Sequence, residues 1–419
     1  MRRLELVIDR LSKSGEGVAQ VSGRAVFVPG ALPGETVLAE VSDTGKALRA
    51  ELLSILKASL ARRTPMCPKA DVCGGCDWMH VAEAEQLAWK ESIVVSALEH
   101  LGGVAPGRYE KLAAVASPKA LGYRRRATLH PTKGRLGYFG KRSHDRVEIE
   151  HCPALSDALA DMPKILADAL GPSSKELEEA RLLECEGRVA VSLHAKGPLR
   201  PRHRQALEQL VRDGIIDGGV LVPGEGKGAV ETVGEPALEE DGLLHRPDGF
   251  AQANADVNRA LVRGAIDLLD AQRSDAVLEL YSGNGNFTFP IAERAASVLA
   301  VESAAVSVML AQSAARRRGV GNVRFVQGAC EKIADGLVKE GERFDRLLLD
   351  PPRSGAPGVG TWASKLLVSR VVYVACDPAS LARDAAELMA NGFAPVALQV
   401  VDLFPQTRHV EAVMAFVRG

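Results

Sequence analysis

A chain of 419 residues, 46% hydrophobic and 25% charged, is long enough for two or three globular domains with sizeable cores, which excludes a disordered chain. A formal net charge of -1 excludes a whole-protein basic field, so any nucleic-acid contact has to come from local patches. Seven cysteines with no signal-peptide-like run, and no apolar stretch of about 18 residues, argue against a disulfide framework and a membrane span. The expectation is a cytoplasmic protein. In chain order, residues 1–57 alternate short apolar runs with glycine turns, from Leu4-Glu-Leu-Val-Ile8 to Glu51-Leu-Leu-Ser-Ile-Leu56. Short strands at this spacing predict a small barrel of oligonucleotide-binding type. A Pro- and Cys-rich segment follows from Thr64 to Trp78, then a helix from Ala82 to about Leu101. The middle region mixes strands such as Val189-Ala-Val-Ser-Leu193 with an Arg-bearing helix near 200–213, and its topology cannot be read from pattern. From Gly249 onward helices (255–271, near 287–294, near 304–318) alternate with strands (276–281, 297–301, 323–326, 345–349, 371–375). That alternation predicts an open, mostly parallel α/β sheet. The expected division is 1–57, 58–248 and 249–419.

The segment Leu278-Glu-Leu-Tyr281-Ser-Gly283-Asn-Gly285-Asn286 places two glycines at the first strand-to-helix turn, where backbone must approach a ligand closely. Alone, such a pair is as often only a tight turn. The second strand ends at Glu302, where a carboxylate suits a ribose, a feature shared with NAD enzymes. Asp350-Pro-Pro-Arg353 separates the two, because this loop resembles the Asp/Asn-Pro-Pro segment of S-adenosylmethionine-dependent methyltransferases. Cys376, in Val371-Val-Tyr-Val-Ala-Cys376-Asp-Pro378, sits where an apolar strand ends, and a carboxylate answers it in Pro405-Gln-Thr-Arg-His-Val-Glu411. Singly, these read as a core cysteine and a turn glutamate. Downstream of a cofactor loop, the pair reads as a nucleophile and a base.

Cys67-x5-Cys73-x2-Cys76 is a tight triplet, and Cys152 in His151-Cys-Pro153 can supply a fourth thiolate. Four thiolates suit iron-sulfur or zinc, and spacing alone leaves the two even. Cys185 and Cys330 have no partners in sequence and read as structural.

Taken together, residues 249–419 resemble the uracil-5-methyltransferases of RNA. The resemblance implies a Rossmann-like class I methyltransferase domain on which the helix near 83–101 packs, S-adenosyl-L-methionine as cofactor, Cys376 as nucleophile and Glu411 as base. Gln252, Tyr281, Asn286, Glu302 and Asp350, with Gly283 and Gly285, then contact cofactor or substrate. Ala329 departs from the pattern, since some relatives carry Asn there toward the adenine end. The N-terminal segment (Ile8-Asp-Arg-Leu11, Gly17-Val-Ala19, Val26-Phe-Val-Pro-Gly30, Leu32-Pro-Gly-Glu35) resembles the TRAM domain, an RNA-binding barrel. A barrel without RNA contact is the plainer alternative. Cys-x5-Cys-Gly-Gly-Cys with a distant His-Cys-Pro is similar to the [4Fe-4S] set of the ribosomal branch of the family, which implies a cluster on Cys67, Cys73, Cys76 and Cys152 in a mixed α+β central domain.

The implied reaction is formation of 5-methyluridine in RNA, with 23S ribosomal RNA the expected target and transfer RNA the alternative. Two other classes fit less well. A radical S-adenosylmethionine enzyme uses Cys-x3-Cys-x2-Cys with one iron left open, which this spacing does not match. A non-catalytic RNA-binding protein is disfavoured by the presence of both Cys376 and Glu411. For RNA contact the best segment carries Arg124, Arg125, Arg126, Lys133 and Arg135 near Tyr123, Tyr138 and Phe139, combining charge with stacking surfaces. Arg353 and His409 suit orienting substrate or base, or a structural pair. The expected partner is RNA rather than a membrane, and the expected state is a monomer.

Overall fold

In the computed structural model, which describes residues 2–12, 14–45 and 47–419, the N-terminal alternation becomes a curled six-stranded sheet. Its strands are β1 (Arg2–Val7), β2 (Arg10–Leu11), β3 (Gly17–Val21), β4 (Arg24–Val28), β5 (Thr36–Asp43) and β6 (Leu48–Lys57), in the order β1-β5-β6-β4-β3-β2. The shortest of them, Arg10–Leu11, pairs briefly with β3. In β5 the period-2 pattern sends Val37, Ala39 and Val41 inward, against Leu6, Ile8, Val26 and Val28. Fully buried Glu35 fastens this sheet to the start of the Cys-rich segment, accepting from Arg62 Nε at 2.6 Å and Arg62 Nη2 at 2.9 Å, and also from Leu32 N at 2.8 Å. That segment, residues 58–82, forms no helix or strand.

Helix α1 (Glu83–Gly102) and the short strand β7 (Glu110–Lys111) precede a second sheet. That sheet comprises β8 (Arg126–Thr132), β9 (Arg135–Phe139), β10 (Arg146–Glu148), β11 (Leu177–Cys185), β12 (Arg188–Ala195), β13 (Gly218–Val222) and β14 (Glu231–Gly234), ordered β10-β9-β8-β11-β12-β13-β14. Helices α2 (Met162–Leu170) and α3 (Pro201–Arg212) share its core through Leu166, Leu170, Leu207 and Leu210. All its pairings are antiparallel except β12 with β13, which α3 connects as a crossover. A small hairpin of β15 (Leu238–Glu240) and β16 (Leu243–His245) follows.

The third sheet is the expected open α/β sheet. Its chain order is α4 (Ala255–Leu269), β17 (Ala276–Leu280), α5 (Thr288–Ala292), β18 (Ser297–Glu302), α6 (Ala305–Arg318), β19 (Val323–Gln327), α7 (Cys330–Glu340), β20 (Arg346–Leu349), α8 (Val359–Lys365), β21 (Arg370–Ala375), α9 (Pro378–Ala390), β22 (Phe393–Val401) and β23 (Glu411–Arg418). Spatially it runs β19-β18-β17-β20-β21-β23-β22-β7, parallel through β21 and then antiparallel at β23. Its central strands are apolar at almost every position because both faces are covered. Val371 and Tyr373 face α1, α8 and α9, while Val372 and Val374 face α4.

Two elements from ahead of the second sheet therefore belong to the third. Strand β7 pairs with β22, and α1 lies on α9 at close range. A methyl group at Gly102 would stand 2.7 Å from Ala382 O. Lys90 on α1 is fully buried and donates to Asp402 Oδ1 at 2.6 Å and Phe404 O at 2.9 Å. The chain crosses between the two sheets twice, and the crossings run side by side. Arg125 N donates to Ala253 O at 2.9 Å, its Nε to Gln252 O at 2.8 Å, and Arg124 bridges Asn254.

Candidate active site and RNA groove

The turn after β17 is built from conformations that ordinary residues avoid. Gly283 sits at φ +56° and Gly285 at +100°, and a Cβ on Gly285 would press on the Phe289 ring at 2.6 Å. Tyr281 adopts φ +61°, held by its N–H to Cys330 Sγ at 3.3 Å and its hydroxyl to Glu331 at 3.0 Å. Glu302 is fixed against this turn, accepting from Gly283 N at 3.0 Å and Ala304 N at 2.7 Å. Asp350 stands at the end of β20, where burial and then the Glu302 carboxylate push its carboxyl up to about 7.

A third carboxyl lies in the strand that leads into the same glycine turn. Glu279 is fully buried within β17 with the Thr288 hydroxyl beside it, and burial, opposed by Thr288, pushes it up to about 8. The signal was present as a lone acid inside an apolar strand. The carboxyls of Glu302 on the glycine turn and Asp350 beside it suit a ligand carrying positive charge, as the sulfonium and ammonium of S-adenosylmethionine do, while Glu279 stays protonated below about 8. Asn286 exchanges amide hydrogen bonds with Asn258 at 2.9 and 3.0 Å, so its side chain is engaged within the protein. Gln252 is buried in the second crossing, where it lines a large groove.

Cys376 follows β21 immediately, and Asp377 caps α9 by accepting from Ala379 N at 3.0 Å and Ser380 N at 2.8 Å. Ala375 pairs with Ala412 in the β21/β23 ladder, so Cys376 and Glu411 occupy the next opposed positions. Burial, then Glu411 and Asp350, push the Cys376 thiol up to about 12, and Arg353 opposes them. Glu411 is buried with Oε1 unpartnered, and its carboxyl lies well above the usual range because of burial and then Asp350. Arg353 Nη2 lies 3.3 Å from His409 Nδ1, and burial followed by Arg353 pushes that imidazole down to about 4. His409 is thus neutral near pH 7 and does not repel the guanidinium.

The groove, of about 1050 Å³, runs between the three sheets and the Cys-rich segment, reaching Thr407 and His409 beside Glu411. Arg126 lines it with its guanidinium 5.2 Å from the Phe250 ring, and Phe250 is 55% exposed, open to stacking. Arg124, Lys141, Arg142 and Arg408 add positive charge. Three of the expected RNA-contacting cations lie elsewhere. Arg125 is buried and spent on Glu240 and the Gln252 carbonyl. The Arg135 guanidinium is taken by Glu148, Glu150 and Asp168. Lys133 is exposed on the β8–β9 turn and does not line the groove.

Cys67, Cys73, Cys76 and Cys152 line one small cavity beside the groove. The Cys-rich loop is docked on β9 through Gly74 N to Phe139 O and Lys141 N to Val72 O, both 2.9 Å. Among the described residues no three Cys, His, Asp or Glu groups are gathered closely enough to hold a single metal ion. Cys185 and Cys330 are buried apart from this cavity.

The fold and this site define a methyltransferase that uses S-adenosylmethionine and acts on RNA. The tRNA (Uracil-5-)-methyltransferase family profile matches residues 243–418 and the TRAM domain matches residues 2–53. The chain is 34% identical to a 23S rRNA (uracil(1939)-C(5))-methyltransferase RlmD of Aeromonas salmonicida, covering 99% of this chain and 96% of the relative. It is 36% identical to one of Pseudomonas fluorescens, covering 99% and 94%. A solved tRNA (uracil-54, C5)-methyltransferase of Pyrococcus abyssi with S-adenosyl-L-homocysteine shares the fold at TM-score 0.77 and 24% identity, over 99% of this chain and all of that one. The chain belongs to the family of RNA uracil-C5-methyltransferases.

Proposed function

We propose that this protein methylates carbon 5 of one uridine in 23S ribosomal RNA, with Cys376 as nucleophile and Glu411 as base. The observation that carries the residue assignment is their place at the same end of the β21/β23 ladder, with Asp350 close enough to act on the Cys376 thiol and His409 of the groove lining two residues before Glu411. The names of relatives that match over nearly the whole chain, barrel included, support the ribosomal target.

Carbon 5 of uracil is too weak a nucleophile to be methylated directly, so carbon 6 must first take a nucleophile. Cys376 Sγ bonds to carbon 6, and the electron pair of the 5,6 double bond moves onto the ring as an enolate. Arg353 favours the thiolate that starts this step. S-adenosylmethionine, when bound, supplies a methyl group on a positively charged sulfur, which the enolate carbon takes. Glu411 then removes the carbon 5 proton, the double bond re-forms, and the Cys376–carbon 6 bond breaks to return the thiolate. Burial and then Asp350 raise the Glu411 carboxyl, which makes its carboxylate a stronger base than an ordinary one. Gly283, Gly285, Glu302 and Asp350 are assigned to cofactor binding, as are Tyr281, Gln252 and Asn286, the last through the backbone or after release from Asn258. The uridine must be single-stranded or flipped to reach the thiol, at a cost of a few kcal/mol.

Cys67, Cys73, Cys76 and Cys152 are assigned to a [4Fe-4S] cluster. All four thiols line one small cavity, a donor set that suits a cluster taking one thiolate per iron. A closed set of four gives it a structural or RNA-positioning role. The functional division we infer is a barrel of residues 1–57, a central body within 58–248, and a catalytic body of 249–419 joined by α1 and β7. No helix among the described residues is long and apolar enough to cross a membrane, and the reading is of a monomer acting on RNA in the cytoplasm.

The test is mass spectrometry of nucleosides after incubation with methyl-labelled S-adenosylmethionine, with ribosomal and transfer RNA assayed apart. Labelled 5-methyluridine in ribosomal RNA is expected. Label confined to transfer RNA would replace the target, and label on another base would remove the mechanism.

A further inference from the structure

Arg124 holds a position that neither catalysis nor ordinary salt bridging accounts for. Its side chain borders both the groove and the four-thiol cavity, and it is the one formally charged side chain common to the two linings. Its Nε is sealed from solvent and has no hydrogen-bond partner, and no carboxylate pairs with the guanidinium among the described residues. The neighbouring Arg125, by contrast, is buried against Glu240. Arg124 is half-buried, its Nε sealed while the residue also lines the open groove, and a guanidinium held this way, without a carboxylate, is best answered by an anion on either side. The backbone holds it in place. Arg124 N donates to Ala154 O at 3.0 Å and Ser156 N to Arg124 O at 2.9 Å, clasping the loop that carries Cys152.

We propose that Arg124 is the counter-charge of the thiolate-ligated cluster and, from the same position, a phosphate contact in the groove, so that cluster charge and RNA binding are coupled through one guanidinium. The inference rests on the iron-sulfur assignment of the four thiols. Each added electron makes the cluster more negative and draws more strongly on Arg124, leaving less of its field for RNA. Reciprocity then requires RNA phosphate at Arg124 to disfavour the reduced cluster. A tenfold weaker binding of RNA to the reduced protein corresponds to a fall in midpoint potential of about 59 mV when RNA is bound.

The experiment uses full-length protein reconstituted anaerobically with iron and sulfide, titrated with dithionite under electron paramagnetic resonance, with and without a 23S-derived uridine hairpin. The wild type is expected to show a lower midpoint potential with RNA present. Arg124→Gln is expected to lie lower already without RNA and to lose the RNA-dependent shift, while Arg124→Lys keeps the sign of both effects at reduced size. Protein that binds no iron would overturn the cluster assignment itself. Four irons per chain with a wild-type potential indifferent to RNA would overturn the coupling while leaving the cluster. Should Arg124→Gln fail to assemble a cluster, the wild-type comparison and Arg124→Lys still decide.

Discussion

Cys376 and Glu411 are the residues one step beyond Ala375–Ala412, the last pair of the β21/β23 ladder, so the antiparallel register brings the thiol and the carboxyl proposed as nucleophile and base to the same end of it. Directly opposed residues stand about 4.5–5.5 Å apart at Cβ, close enough to act on one pyrimidine ring.

Removing either partner should stop the reaction at a different stage. Cys376→Ala is expected to lose methyl transfer to background while retaining RNA binding in a filter or gel-shift assay. Glu411→Gln should slow turnover roughly 10²–10⁴-fold and accumulate an RNA–protein adduct that survives denaturing electrophoresis. Near-normal turnover by either variant would end the mechanism.

The thiol of the free protein should be a sluggish nucleophile. Because burial and then Glu411 and Asp350 push it up to about 12, alkylation of Cys376 by iodoacetamide should rise about tenfold per pH unit from pH 7 to beyond 10. Arg353→Met should slow that alkylation and Glu411→Gln should speed it. A plateau below pH 9, read by peptide mass spectrometry, would show an already ionised thiol.

Glu279 gives a pH dependence of stability with a definite sign. Its carboxyl is pushed up to about 8 in the folded protein, against an ordinary value of 4.5, so between these values the folded state holds a proton that the unfolded chain has released. Stability from this group therefore falls as pH rises from about 4.5 to about 8. Glu279→Gln should flatten the dependence, raising Tm at pH 8 more than at pH 5 by calorimetry. An equal change at both would deny the shift.

Gly285→Ala should weaken both folding and cofactor binding, since the new methyl meets the Phe289 ring at 2.6 Å with φ at +100°. A loss of about 1–3 kcal/mol in denaturant titration is expected. The same variant should bind S-adenosylhomocysteine at least tenfold more weakly in calorimetry, and unchanged affinity would move the cofactor away from this turn.

Lys90→Met tests how α1 is held. It strands Asp402 without its buried partner, which should cost roughly 3–5 kcal/mol, and the double change with Asp402→Leu should recover much of that loss.

The α/β sheet was legible because its strands and helices alternate in hydrophobic period, and the curled N-terminal sheet because glycine turns punctuate its runs. The central sheet was not legible, since its one parallel pairing, β12 with β13, depends on a crossover that leaves no local mark. Cys376 and Glu411 stood out as motifs, but their opposition came only from pairing β21 with a strand some forty residues later in the chain, a long-range contact beyond any window. Charge was the poorest guide. Arg125 and Arg126 are neighbours in sequence, yet alternation along the backbone buries one against Glu240 and turns the other into the groove. Glu279 was overlooked because an acid within a strand reads as a solvated face until both faces prove covered.

The paired crossings at Arg124–Arg125 and Gln252–Asn254 have a mechanical consequence. One linker would let the central sheet swivel freely against the catalytic sheet, whereas two hydrogen-bonded strands form a flat ribbon that flexes about one line and resists torsion. Gln252, which lines the groove, and Arg124, which lines both the groove and the thiol cavity, sit on that paired ribbon, so a wall of each is anchored to one element.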